Sequence, residues 1–204
     1  MSIAILIPFR GTKKDKSRLR KDFEENLVED LLQEMMQHVI NEVSFLEEAQ
    51  ATYLLTKKGE ISFEGNYYIL KDTGKDLNDS LEKAFKLIEE ENIIVTMADL
   101  PLLKAENMIK VIETIKEGKK AVLAPTSDNG TSILGFNKSV SFPLAFGVDS
   151  ALKFKKIFND NNIEHEILPY VIGYRDIDTL KDLIELESYS SLPDWLLKFI
   201  KRVS

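Results

Sequence analysis

Short apolar runs rich in β-branched residues alternate along this chain with longer segments whose apolar residues return every three or four positions. The runs include "IAILIP" at 3–8, "TYLLT" at 52–56, "YYIL" at 67–70, "NIIVTM" at 92–97 and "KAVLAPT" at 120–126. Between them, Phe23, Leu27, Leu31, Met35 and Val39 mark one face of a helix spanning residues 22–43. Leu81, Phe85 and Ile88 mark the inner face of a second helix over residues 77–91, with Asp76 or Asn78 near its start. "AENMIKVIETIKEG" makes a third, stopped by Gly118. This alternation is the pattern of an α/β fold, and it predicts a three-layer sandwich around a mixed, mostly parallel sheet. "FPLAFGVDSALKFKKIFNDNN" reads as strand, turn and helix. "HEILPYVIGYRDIDTLKDLIEL" reads as strands, an acidic loop and a helix, and "LPDWLLKFIKRVS" closes the chain as an amphipathic helix. With 204 residues and no linker or internal repeat, one domain over 1–204 is expected.

Composition excludes several classes of function. The chain has no cysteine and two histidines, which leaves no disulfide, no thiolate nucleophile and no cysteine-bound zinc. A metal would have to sit on oxygen ligands, which suits magnesium or manganese. No apolar run approaches the roughly 18 residues of a membrane span, and the first eight residues carry no signal-peptide pattern. A cytoplasmic protein without a membrane partner is expected.

Charge is unevenly placed. Residues 10–21, within "RGTKKDKSRLRK", hold seven basic residues against Asp15, a net +6, whereas the whole chain is −7 and the remainder therefore −13. An acidic chain of this kind disfavours nucleic acid, but one cationic spot suits a small anion.

In open α/β sheets ligands bind beyond the carboxyl ends of the strands, so the loops after the apolar runs are where chemistry is sought. The first is the basic loop, where Gly11 leads into a helix start holding Lys16, Ser17 and Arg18, and exposed amides with the Arg and Lys charges would neutralise a triphosphate; as a bare charge run it also reads as a solvated loop. Neither G-x-x-x-x-G-K-[ST] nor G-x-G-x-x-G is present. The second is "TMADLPLL", whose Asp99 at a strand end suits a divalent cation or a turn cap. The third is "PTSDNGTS" followed by "FGVDS", where Thr131, Gly147 and Ser150 offer hydroxyls and a helix start; a hairpin turn and an N-cap explain them as well. In the fourth, "YRDIDTLKDL", Asp176 and Asp178 fall on one side of an extended segment, so two facing carboxylates call for a shared cation with Asp99. Capping by Asp178 or Thr179 with Asp182 accounts for one aspartate but not both. His38, His165, Trp195 and the five methionines read as structural.

Taken in order, "IPFRGTKKDKSRLR", "ADLPLL", "APTSDNGTSILGF", "FGVDSALKF" and "DIDTLKDL" resemble the 2-phospho-L-lactate guanylyltransferase family over roughly residues 3–186. The resemblance implies a GT-A-like nucleotidyltransferase (nucleotide-diphospho-sugar transferase) fold, a homodimer, and transfer of GMP from GTP to a phosphorylated three-carbon acid in coenzyme F-420 biosynthesis, with release of pyrophosphate. It implies phosphate contacts from Arg10, Lys16 and Arg18, a nucleotide contact from Asn78, magnesium on Asp99 and Asp176, to which the facing Asp178 adds a third carboxylate, and an acceptor site at Thr131, Gly147 and Ser150. Lys16, Arg18 and Asp99 are the expected catalytic set. Two departures stand out: Ser132 replaces the family's Asn after Gly-Thr, and Gly-Pro-Gly-Ser is here Gly147-Val148-Asp149-Ser150. The acceptor therefore stays open among phospholactate, phosphoenolpyruvate and phosphoglycerate. Another nucleotidyltransferase, a nucleotide-sugar glycosyltransferase and a non-catalytic nucleotide-binding regulator are the alternatives.

Overall fold

Six consecutive buried residues make β1 (Ile3–Pro8) an interior strand, and its side chains alternate between two cores. In the computed structural model, which describes residues 1–9, 16–57, 61–189 and 191–203, Ile3, Ile5 and Ile7 face one side and Ala4 and Leu6 the other. That is the period-two reading of a strand covered on both faces. β1 pairs in parallel with β2 (Ala51–Thr56) and β4 (Asn92–Thr96), and β2 pairs with β3 (Tyr68–Lys71) at the edge. Beyond β4 come β6 (Thr131–Asn137), β5 (Ala121–Pro125) and β7 (His165–Ile167), giving the order β3-β2-β1-β4-β6-β5-β7. β6 alone runs against its neighbours. The expected mixed, mostly parallel sheet is what the chain forms.

The helices complete the two outer layers. α2 (Glu25–Ser44) and α4 (Ala105–Lys116) cover the face of Ile3, Ile5 and Ile7, with Met36, Val39, Val111 and Ile112 fully buried there. α3 (Leu77–Phe85) and α5 (Ser150–Asp160) cover the other face through Leu81, Ala84, Phe154 and Phe158. Each such side chain contributes about 1.5–3 kcal/mol by leaving water. A third cluster joins α1 (Leu19–Asp22), the far side of α2, α6 (Leu180–Leu186) and α7 (Asp194–Val203).

Four local expectations need correction. The helix predicted over 22–43 is broken before α2, where Phe23 is extended at φ −126° and ψ 153°. Leu19 and Val28 both enter the third cluster, yet nine residues of unbroken helix would turn them about 180° apart. The helix predicted to residue 91 ends at Phe85, because Glu89, Glu90 and Glu91 would oppose the negative end of its dipole. "FPLAF" is not a strand, since Pro143 lacks a ladder donor and Phe142 and Phe146 instead pack edge-on against Phe154. The stretch from His165 to Asp178 holds one strand and a 3-10 turn at Ile172–Tyr174 rather than several strands.

The β5–β6 hairpin turns the chain beside the site. Thr126 N–H donates to the Gly130 carbonyl at 3.1 Å, and a Cβ on Gly130 would fall 2.5 Å from the Thr126 hydroxyl. Glycine is required there by the close approach. The register shifts between Ala124 and Pro125, which places the proline at the strand's irregular end.

Candidate active site

The carboxyl ends of β1, β4 and β5 and the amino end of β6 lie at one edge of the sheet, and the loops leaving them carry the predicted site residues. After β4 the chain runs Met97-Ala98-Asp99, with Met97 N–H donating to the Ser132 carbonyl at 3.0 Å. Leu100 and Leu103 are fully buried and Leu102 nearly so, so this apolar run anchors the loop and leaves Asp99 partly exposed at its start. Across the edge, Ile177 is buried in the third cluster and the carboxylates of Asp176 and Asp178 flank it. Asp99, Asp176 and Asp178 each offer an oxygen within 4.8 Å of the others'. Two loops separated by 77 positions in sequence thus deliver three carboxylates to one point.

The backbone of Asp178 is held from behind. Asp182 accepts from the N–H groups of Asp178 and Thr179 at 3.1 and 2.7 Å, while the Thr179 hydroxyl accepts from Asp182 N–H at 3.2 Å. This capping box starts α6. Arg175 lies 3.6 Å from Asp182 and 2.5 Å from Glu185. Capping therefore belongs to Thr179 and Asp182, which frees both Asp176 and Asp178 to face Asp99.

Lys16 bridges two members of the trio. Its ammonium pairs with both Asp99 and Asp178, and its side chain is only 7% exposed. Its backbone takes φ +54°, a left-handed conformation that costs a lysine about 1–3 kcal/mol. Burial opposes the charge on Lys16, but the two carboxylates outweigh it and raise its pKa. Among the described residues, Asp176 makes no such pair. Burial, then the charge of Asp99, push its carboxyl up to about 7, so near neutrality it stands half protonated.

These residues fit a divalent cation. The donors are hard carboxylate oxygens, and a buried ammonium already marks the point as cation-seeking. Ligands of one octahedral magnesium lie roughly 3–4 Å apart at bonds of about 2.1 Å, a range that falls inside the 4.8 Å limit within which these oxygens converge.

The other predicted residues sit differently. Arg10 lies outside the described residues. Arg18 is exposed at the start of α1. Asn78 spends its amide on the backbone of Phe146, donating to its carbonyl at 3.2 Å and accepting from its N–H at 2.9 Å. Thr131 and Ser150 are nearly buried and their hydroxyls bond each other at 2.8 Å. Ser150 N–H donates to the Gly147 carbonyl and Ala151 N–H to that of Asn129, so the first two N–H groups of α5 are satisfied internally. Gly147 at φ +130° and Asp149 at φ +53° shape this turn. Sequence reasoning missed the Asn78 clasp, the pairing of Lys16 with the acidic trio, and the support from Arg175; none has a local signal. A cavity of about 1020 Å³ between α2 and α7, lined by Phe9, Trp195 and Lys198, has none of the predicted residues in its lining among those the structure describes.

Comparison with known proteins bears on the family and the fold. The chain is 33% identical over 117 residues to a 2-phospho-L-lactate guanylyltransferase of Methanocaldococcus infernus, spanning 57% of this chain and 53% of that enzyme. It is 26% identical over 186 residues to the enzyme of the same name from Methanocaldococcus vulcanius, spanning 89% and 83%. A structure from Desulfovibrio desulfuricans G20 assigned as a nucleotide-diphospho-sugar transferase superposes with a TM-score of 0.80 at 20% identity, covering 100% of this chain and 99% of that one. The fold is that of the nucleotide-diphospho-sugar transferases. Residues 3–191 match the family model described as guanylyl transferase CofC like, and the chain belongs to that family.

Proposed function

We propose that this chain transfers GMP from GTP to the phosphate of 2-phospho-L-lactate, or of a closely related phosphorylated three-carbon acid, and releases pyrophosphate, as part of coenzyme F-420 biosynthesis. The observation that carries it is the convergence of Asp99, Asp176 and Asp178 around the Lys16 ammonium at the carboxyl edge of the sheet. Family membership supplies the substrate class.

The reaction asks little covalent help of the protein. An oxygen of the acceptor phosphate attacks the α-phosphorus of GTP, a P–O bond forms, the bond to the β-phosphate oxygen breaks, and the electron pair leaves with pyrophosphate. A phosphomonoester has a second pKa of about 6 and is mostly a dianion at neutral pH, so no general base is needed. This suits a chain without cysteine and with two histidines.

What the protein supplies is position and charge. Asp99, Asp176 and Asp178 hold magnesium or manganese, which when bound offsets charge on the α-phosphate and the departing pyrophosphate. Lys16, Arg18 and Arg10 face the triphosphate from the basic loop. Asn78 orders the nucleotide side by fixing Phe146 beside it. Thr131, Gly147 and Ser150 frame the acceptor side, the hydroxyl pair acting by holding the turn. A homodimer and a cytoplasmic location go with this reading, the former measurable by light scattering.

The test is to incubate the protein with magnesium, each nucleoside triphosphate in turn and each of phospholactate, phosphoenolpyruvate and phosphoglycerate, and to measure pyrophosphate. Release with GTP and one acid supports the proposal. No release from any pair, with folded protein, defeats it. A sugar transferase of the same fold releases no pyrophosphate.

A further inference from the structure

We propose that Lys16 competes with the divalent cation for the same carboxylates, so that the cation enters only as the triphosphate draws the lysine away. The inference rests on the metal reading above and adds to it a coupling between cation and nucleotide. Lys16 pairs with Asp99 and with Asp178, two of the three residues whose oxygens converge within 4.8 Å. A gap of that width accepts one cation in contact with all three carboxylates, since ammonium and metal both need the facing oxygens and repel each other.

Three observations favour an ammonium held there and released on binding. The side chain is 7% exposed although lysine is almost never buried unless paired, so the carboxylates keep it in place. The backbone at φ +54° is strained, and the pairing helps hold that strain. Lys16 also directly follows the segment that holds Arg10, Lys13 and Lys14, so its flexible four-carbon stem can carry the charge from the aspartates to a phosphate without moving an element of the fold. Each ligand then favours the other, because the triphosphate removes the competitor of the cation and the cation removes the alternative partner of Lys16. Such coupling is reciprocal.

The experiment titrates Mn²⁺, followed by its electron paramagnetic resonance signal, into the full chain without nucleotide and then with GTP. Lys16→Met is compared with the unaltered protein, and Lys16→Gln serves if the methionine variant does not fold. The expected result is Mn²⁺ binding about tenfold tighter, or more, in the variant without nucleotide, together with a smaller enhancement by GTP. Equal or weaker binding in the variant overturns the competition. Asp99→Asn in the Lys16→Met background separates this from the metal reading. Loss of Mn²⁺ binding there places the ion on the trio, whereas unchanged binding removes Asp99 as a ligand and takes the proposal with it. Turnover that still needs metal while Lys16→Met binds no tighter leaves the metal reading standing and ends only the competition.

Discussion

Asp176→Asn should make the metal-free protein more stable, and increasingly so as pH rises. The carboxyl of Asp176 is raised from 3.8 to about 7 by burial and by the neighbouring Asp99. A group whose folded pKa is raised binds its proton more tightly in the native state, so its contribution is full below pH 4 and is lost as pH climbs through about 7. The shift of about 3 units corresponds to roughly 4 kcal/mol at most, and Asp176 is partly exposed, so screening by water brings this to about 2 kcal/mol. Asparagine has the same shape and no proton to lose. The assay is urea unfolding of both proteins at half-unit intervals from pH 4.5 to 8 in the presence of EDTA. The difference between variant and unaltered protein should grow from near zero to about 2 kcal/mol, and magnesium should shrink or reverse it because the ionised carboxylate becomes a ligand. A difference that stays flat across this range refutes both the buried position of Asp176 and its part in the acidic trio.

Asp99→Asn should abolish turnover and metal dependence while leaving the circular dichroism spectrum unchanged; retained activity removes Asp99 from the site. Asn78→Ala breaks both hydrogen bonds to Phe146 and should cost about 1–3 kcal/mol in urea unfolding. The same variant should raise the KM for both substrates, since the clasp ties the start of α3 to the turn before α5. Thr179→Ala removes the cap of α6 and should cost about 1 kcal/mol. Steady-state kinetics should show an accompanying loss of turnover as Asp182, which holds the Asp178 N–H, loses its bond to the Thr179 hydroxyl.

The layered α/β architecture was legible because its signals are local. "IAILIP" is apolar at every position and became the doubly covered strand β1, and the i, i+2 spacing around Ile177 correctly put Asp176 and Asp178 on one side. Local signals also misled where tertiary packing overrode them. "FPLAF" has strand composition, but its phenylalanines find partners on α5. The expectation that Lys16 meets phosphate carries no hint that it also pairs with carboxylates 83 and 162 residues away. No spacing rule in a sequence reports a pairing at such separation. The sequence places Thr131 and Ser150 at one acceptor site and gives no sign that, 19 residues apart, their hydroxyls bond each other. In each case the residue type was informative and its partner was not.

The most direct test of the central claim is phosphorus NMR of GTP, 2-phospho-L-lactate and magnesium with catalytic protein. The account predicts loss of the γ- and β-phosphate signals of GTP in step with growth of pyrophosphate and of a pair of coupled resonances from the new phosphate–phosphate linkage. Persistence of GTP with every phosphorylated three-carbon acid, or its conversion to GDP and inorganic phosphate alone, would contradict it.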